Sequence, residues 1–110
     1  MSGIANLFDM QSHFQKAITG IDLPCDSPKW FEYHMVAMIE ELGEVLKADK
    51  RWKTHRNTRF ERDEKLDEIS DCFITLINIA LFSGFSDDDI ADAIENKIKA
   101  NMKRLSEEEK

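Results

Sequence analysis

Apolar residues recur at three- and four-residue intervals along almost the whole chain, the period of helices that bury one face. The first stretch sets Ile4, Leu7, Phe8, Phe14 and Ile18 at helical spacing and predicts a helix over 3–19. Gly20 follows as a C-terminal cap, with Ile21 behind it. After a connector containing Pro24, Ser27 and Pro28 read as an N-cap followed by proline at the first helical position. The second helix is predicted over 28–52, with Phe31, Met35, Met38, Leu42, Val45 and Leu46 as its apolar stripe. Gly43 inside it costs roughly 1 kcal/mol relative to alanine, and leaves room for another backbone to approach beside Glu44.

The segment 53–63 is polar and without period, and is expected to be a loop. A third helix is predicted over 64–83, through Leu66, Ile69, Phe73, Ile74, Leu76, Ile77, Ala80 and Leu81. Beyond Asp71 it is apolar over most of its circumference, the mark of a helix buried on several sides. In so small a chain that burial calls for a partner subunit. Ser83-Gly84-Phe85 closes this helix, and Ser86 opens the fourth, predicted over 87–105, with Asp89 where a capping-box acid reaches back. Residues 106–110 form a charged tail. The expectation is one all-α domain over 1–110, four-helix-bundle-like, with its core completed by oligomerisation.

Composition narrows the partners. A chain of 110 residues has a marginal core, while 42% apolar residues argue against disorder. The net charge of −7 disfavours a nucleic-acid backbone or an anionic membrane as partner. No apolar run is long enough for a membrane span, and residues 1–9 lack the basic start and apolar block of a signal peptide, so the cytoplasm is the expected compartment. Cys25 and Cys72 have no metal-type spacing; Cys72 is read as a small core residue and Cys25 as a reduced loop thiol.

Five acids change this picture. Glu40, Glu41 and Glu44 lie on the second helix as E-E-x-x-E, and after 23 intervening residues Glu68 and Asp71 lie on the third as E-x-x-D. At ~100° per residue the first three span an arc of about 100° and the last two stand about 60° apart. Side by side, the two helices would bring four or five carboxylates into one small volume. Such a cluster repels itself unless a hard cation such as Mg²⁺ or Mn²⁺ sits in it. A solvated helix face is the plainer reading, but Glu40 and Glu44 are a repelling i,i+4 pair and only Lys47 is near enough to relieve it.

Other positions are open to two readings. Asn78, about 20° round the helix from Asp71, is either a substrate contact or an interhelical hydrogen-bonder. Lys97, Asn101 and Arg104 share an arc of about 60° on the fourth helix; they suit phosphate oxygens, or merely complement the helix dipole. Trp30 and His34 continue the stripe that leads to Glu41, and either contact a nucleobase or pack. Lys47, Lys50, Arg51, Lys53, Arg56, Arg59 and Arg62 form a basic segment around Trp52 and His55, which suits either a polyanionic substrate or a solvated loop. No Ser-His-Asp or Cys-His arrangement and no glycine-rich phosphate loop is present, and His13, His34 and His55 are too scattered for zinc.

These residues together resemble the MazG-like all-α nucleoside triphosphate pyrophosphohydrolases, a superfamily that includes the dimeric dUTPases and phosphoribosyl-ATP pyrophosphatase. The resemblance lies in I-E-E-L-G-E (Ile39 to Glu44), D-E-I-S-D (Asp67 to Asp71) continuing to Asn78, and K-x-x-x-N-x-x-R (Lys97 to Arg104). It implies a MazG-type fold and Mg²⁺-dependent hydrolysis of a (deoxy)nucleoside triphosphate to monophosphate and pyrophosphate, as in nucleotide-pool house-cleaning. It also implies Glu41, Glu44, Glu68 and Asp71 as metal ligands, Glu40 as the acid that handles the attacking water, and Lys97, Asn101 and Arg104 as phosphate contacts. A homodimer or dimer of dimers is implied in the same way. The alternatives are dUTPase-like or phosphoribosyl-ATP pyrophosphatase activity, or a non-catalytic helical module that binds metal or nucleotide.

Overall fold

The computed structural model describes residues 3–55 and 59–108. It is all-helical, with α1 (Gly3–Thr19), α2 (Pro28–Ala48), α3 (Arg62–Leu81) and α4 (Asp87–Glu108). No described helix is long and apolar enough to cross a membrane.

The order of elements follows the periodicity, but several ends differ. α2 stops four residues before the expected 52, because Asp49 turns extended and its backbone N–H closes the last turn on the Val45 carbonyl at 3.2 Å. Asp49 then pairs with Phe60 in an isolated antiparallel bridge. Trp52 therefore stands in a turn, its Nε1 donating to the Leu46 carbonyl at 3.3 Å. α3 starts two residues early, at Arg62, and α4 continues to Glu108. Arg56 of the basic segment and residues 109–110 of the charged tail lie outside the described residues.

Local signals account for most boundaries. Gly20 ends α1 at φ +76°, its N–H donating to the Lys16 carbonyl at 2.7 Å. At the start of α4 the Asp89 carboxylate accepts from the Ser86 N–H at 3.0 Å, while the Asp89 N–H donates to the Ser86 hydroxyl at 3.2 Å. That is the reciprocal capping box. Ser27 occupies the N-cap of α2 before Pro28, yet its hydroxyl makes no capping bond. Its backbone is used instead, donating to the Phe82 carbonyl at 2.8 Å and accepting from the Phe31 N–H at 2.8 Å. A Cβ built on Gly43 would meet nothing within 4 Å, so the close backbone approach expected there does not occur among the described residues.

α2 and α3 form an antiparallel hairpin. At one end Trp30 and His34 of α2 stack on Phe82 at 6.1 and 5.3 Å between ring centroids. At the other, Asp49 meets Lys65 at 2.8 Å. α1 lies against the C-terminal half of α3, where Phe8 joins Ala80 and Leu81 in a small core ringed by Ile4, Leu23, Ile77 and Ile90. The connector between α1 and α2 is stitched to the same end, with the Cys25 N–H donating to the Leu81 carbonyl at 2.9 Å. Gly84, at φ +85°, turns the chain closely past Asp26, whose backbone N lies 3.5 Å from where a Cβ would stand. Phe82 is 0% exposed beneath the Trp30 and His34 rings. Phe82→Ala is expected to lower stability by about 3–5 kcal/mol, read from urea unfolding.

This core is small for the apolar content. Phe73, Ile74 and Leu76 of α3 are exposed, so the burial on several sides expected for this helix is not achieved inside one chain. Two other stripes are also uncovered, namely Phe31, Met35, Ile39, Leu42 and Leu46 on α2, and Ile94, Ile98, Met102 and Leu105 on α4. The radius of gyration is 17.3 Å, against about 13 Å for a compact domain of this length.

Candidate metal centre

Along the hairpin, Trp30 and His34 of α2 stack on Phe82 just past the end of α3, and Asp49 just past the end of α2 meets Lys65 of α3. Between these two ends lies an acidic rung. Side-chain oxygens of Glu41, Glu68 and Asp71 all lie within 4.8 Å of one another. Glu41 and Glu68 are half-buried and Asp71 is exposed, so the cluster has a dry side and an open side.

The electrostatics record the crowding. Burial, and then the charges of Asp71, Glu40 and Glu44, raise the Glu41 carboxyl above its ordinary value. Glu68 is raised in the same way, first by burial and then by Asp71, Glu44 and Glu41. Cys72, in the seam beside them, has its thiol pushed up by burial and by the Glu41 charge. Among the described residues none of these three carboxylates forms an ion pair; Glu44, the fourth acid, approaches Lys47 at 3.5 Å. Glu44 is therefore outside the tight group but close enough for its charge to act on two of its members.

The donor set fits a hard divalent cation. With Mg²⁺–oxygen distances of ~2.1 Å, oxygens on opposite sides of the ion stand about 4.2 Å apart. Oxygens that lie within 4.8 Å of one another exceed that by at most about 0.6 Å, within the reach of a small χ adjustment. Carboxylates are also the ligand type that Mg²⁺ and Mn²⁺ select.

The remaining predicted site residues divide. Glu40 is exposed on α2, next to Glu41 in sequence. It stands at one end of a groove of about 510 Å³ that runs past Ala37, Val36, Tyr33 and Trp30 to Lys29. Trp30 is partly buried against Phe82, and His34 is 6% exposed with its Nε2 lacking any partner among the described residues. Burial in this aromatic sandwich lowers the His34 pKa. Asn78 is 4% exposed and accepts a 2.8 Å hydrogen bond from Gln11 Nε2, tying α1 to α3. His34 and Asn78 thus sit in the packing of the chain.

Lys97, Asn101 and Arg104 are not brought to the acids. All three are exposed on α4, which packs against α1, and Arg104 donates a hydrogen bond to Asn101.

A polar cluster not anticipated from the sequence closes the hairpin's open end. Asp49 receives Arg51 Nε at 2.9 Å and Arg51 Nη2 at 2.7 Å, together with Lys65 Nζ at 2.8 Å. The Arg51 and Lys65 hydrogen bonds hold its carboxyl well below the usual carboxylate range. Both cations also lie over the Phe60 ring, at 3.7 and 4.8 Å. Arg51, counted with the basic segment, is turned inward onto Asp49. The signal available was an acid directly after the helical period fades, followed by a cation two residues on.

Family models, curated proteins and solved structures contain no match to this chain. The functional reading therefore rests on the carboxylate geometry and the motifs themselves.

Binding of a divalent cation should relieve the repulsion and stabilise the fold. At a hundredfold excess over Kd the expected gain is about 2.7 kcal/mol, or about 10 °C in Tm. Because Glu41 and Glu68 titrate above their ordinary values, protons compete with the ion as pH falls toward that raised range. The Mg²⁺- or Mn²⁺-induced rise in Tm should accordingly be smaller at pH 5 than at pH 7.5, as thermal scans with and without EDTA would read.

Proposed function

We propose that the chain is a divalent-cation-dependent (deoxy)nucleoside triphosphate pyrophosphohydrolase, releasing monophosphate and pyrophosphate. One observation carries this reading: Glu41, Glu68 and Asp71, from two different helices, converge within 4.8 Å with no ion-pair partner among the described residues. That is a costly arrangement in a metal-free protein and a useful one around Mg²⁺. The motifs shared with the MazG-like pyrophosphohydrolases point the same way.

In this reading Glu41, Glu68 and Asp71 hold the cation, with Glu44 completing the set by a side-chain rotation away from Lys47. The bound cation supplies charge neutralisation for the triphosphate and lowers the pKa of a coordinated water. Glu40, exposed beside the cluster, orients the attacking water and accepts its proton. The groove from Glu40 to Trp30 is large enough for a nucleoside, with Tyr33 and the free edge of Trp30 as apolar walls. His34 and Asn78 support the site through packing rather than by touching substrate.

The phosphate contacts come from a second copy. Lys97, Asn101 and Arg104 lie on a helix that leaves the acidic rung behind, and that helix carries an uncovered apolar stripe. The basic flank of α4 complements the acidic rung of a neighbouring α2–α3 hairpin, whose own outer stripe is equally uncovered. A homodimer, or a dimer of dimers, built this way would supply each carboxylate cluster with cations in trans.

The deciding assay incubates the protein with a panel of canonical and modified (d)NTPs, dUTP and phosphoribosyl-ATP in Mg²⁺ or Mn²⁺. Monophosphate and pyrophosphate are read separately. Equimolar release of both, abolished by EDTA, is the expected result; cation binding without turnover of any substrate would leave a non-catalytic nucleotide- or metal-binding module.

A further inference from the structure

The acidic rung and the Asp49 cluster share the same two helices. Lys65 stands one turn before Glu68 on α3, and Asp49 follows Glu41 by about two turns on the α2 side, roughly 12 Å along the axis. The far end of the pair is tied by backbone bonds, from the Ser27 N–H to the Phe82 carbonyl at 2.8 Å and in the Asp26–Ser83 bridge, beside the stacked rings of Trp30, His34 and Phe82. Stacked rings and aliphatic side chains tolerate sliding, since their attraction is non-directional and changes little over an ångström. A metal site does not tolerate it, because ligand oxygens must be held to about 0.5 Å.

At the open end, the end nearer the acidic rung, directional bonds between α2 and α3 are scarce. Among the described residues the only side-chain hydrogen bond that joins the α2 end to α3 is Asp49 to Lys65. It is well protected: the Asp49 side chain is 13% exposed and that of Lys65 31%. The loop closes around it as well. Asp49 and Phe60 pair through their backbones. Arg51 donates to Asp49 from its backbone at 3.1 Å as well as from its guanidinium, while covering the Phe60 ring. Asp49 therefore ties three segments at one point, the end of α2, the end of the loop and the first turns of α3.

We infer that Asp49 is a positioning residue, which through Lys65 and the Arg51–Phe60 closure holds the open end of the α2–α3 pair in register and so keeps the Glu41 carboxylate opposite Glu68 and Asp71. Its link to cation binding rests on the functional reading above; its effect on register does not. A slip of one residue would move Glu41 by ~1.5 Å along the seam and turn it by ~100°. Either change removes it from the cluster.

The natural cysteines give a cation-independent readout. Cys72 is buried in the seam at the level of the acidic rung, whereas Cys25 is exposed in the connector and serves as internal reference. The test compares the native chain with Asp49→Asn and Asp49→Glu, all checked for helix content by circular dichroism and studied well below their Tm. Disulfide-exchange labelling is followed site by site by mass spectrometry, without cation. Mn²⁺ binding is then titrated by electron paramagnetic resonance.

Asp49→Asn is expected to label several-fold faster at Cys72 with Cys25 unchanged, and to bind Mn²⁺ about tenfold more weakly, as for other residues that orient a metal ligand from outside its shell. Asp49→Glu, which keeps the charge and can reach the same partners, should recover most of both effects. An unchanged Cys72 rate in folded Asp49→Asn overturns the inference, and so does a faster rate that Asp49→Glu fails to rescue. If the native chain binds no Mn²⁺ while Cys72 protection still depends on Asp49, the register role stands and the metal reading falls.

Discussion

Glu41→Gln should reduce cation-dependent pyrophosphate release to background while leaving the helices intact. Glu41 is the one α2 acid in the tight carboxylate group, so its amide removes the charge that α2 contributes to that group and leaves only Glu44 as a proposed ligand on the same helix. The side chains are nearly isosteric, and glutamine lacks the charge that crowds Asp71, Glu40 and Glu44. The variant is therefore expected to fold at least as well as the native chain without cation, and to lose the Mg²⁺-dependent gain in Tm. The drop in turnover should be at least about a hundredfold, since even residues one shell further out commonly cost 10–100-fold. Circular dichroism, thermal scans with and without Mg²⁺, and a coupled pyrophosphate assay check the three parts. Full turnover at saturating Mg²⁺ would sink the assignment of Glu41 as a ligand.

Mixing two inactive variants should restore activity. In the trans arrangement Glu41→Gln disables the acids of its own subunit, and Lys97→Ala with Arg104→Ala disables the cations that serve the partner's acids. In a mixed dimer one site carries both defects and the other carries neither. Random assembly makes half of the dimers mixed, so about one quarter of native activity should return. Co-expression with two affinity tags, followed by sequential purification, enriches the mixed dimer and should raise the recovery toward one half, its site-count limit. No recovery in a verified mixed dimer would mean that the α4 stripe acts within its own chain or not at all.

How much was legible beforehand differs between the helices. Helix α1 was readable at both ends, because its period is regular and Gly20 is a residue whose positive φ marks a stop. The start of α4 was equally readable, since a capping box is a local contact spanning three residues. The end of α2 was not. Trp52 and Lys50 extend a plausible helix, and only the long-range pairing of Asp49 with Phe60 and Lys65 makes an earlier stop favourable. Ser27 shows the same limit on a smaller scale, because its N-cap position was evident but its hydroxyl makes no capping bond, and it is its backbone N–H that bonds the Phe82 carbonyl.

For the candidate site, spacing put Glu40, Glu41 and Glu44 on one face of α2 and Glu68 and Asp71 on one face of α3, and it is the pairing of those faces that brings Glu41, Glu68 and Asp71 together. It did not reveal that Asn78 would be taken by Gln11 or that His34 would be enclosed by Phe82 and Tyr33. Both are polar residues on the buried stripe, where a substrate contact and a structural contact have the same pattern. Lys97, Asn101 and Arg104 share one face of α4 as their spacing required, yet which carboxylates that face meets depends on where α4 leaves the hairpin.

By itself the sequence determined what is local and periodic: four helices, their apolar faces, most of their caps, and the acids that share a face. Helical period and capping depend on neighbours a few residues apart, so they survive without knowledge of the rest of the chain. Only the tertiary structure decided the register of α2 on α3, the inward turn of Arg51, and the separation of the basic stripe from the acidic rung. Those depend on contacts between residues as far apart as Gln11 and Asn78, and on how helices of similar apolar character choose among several faces that would bury nearly the same area.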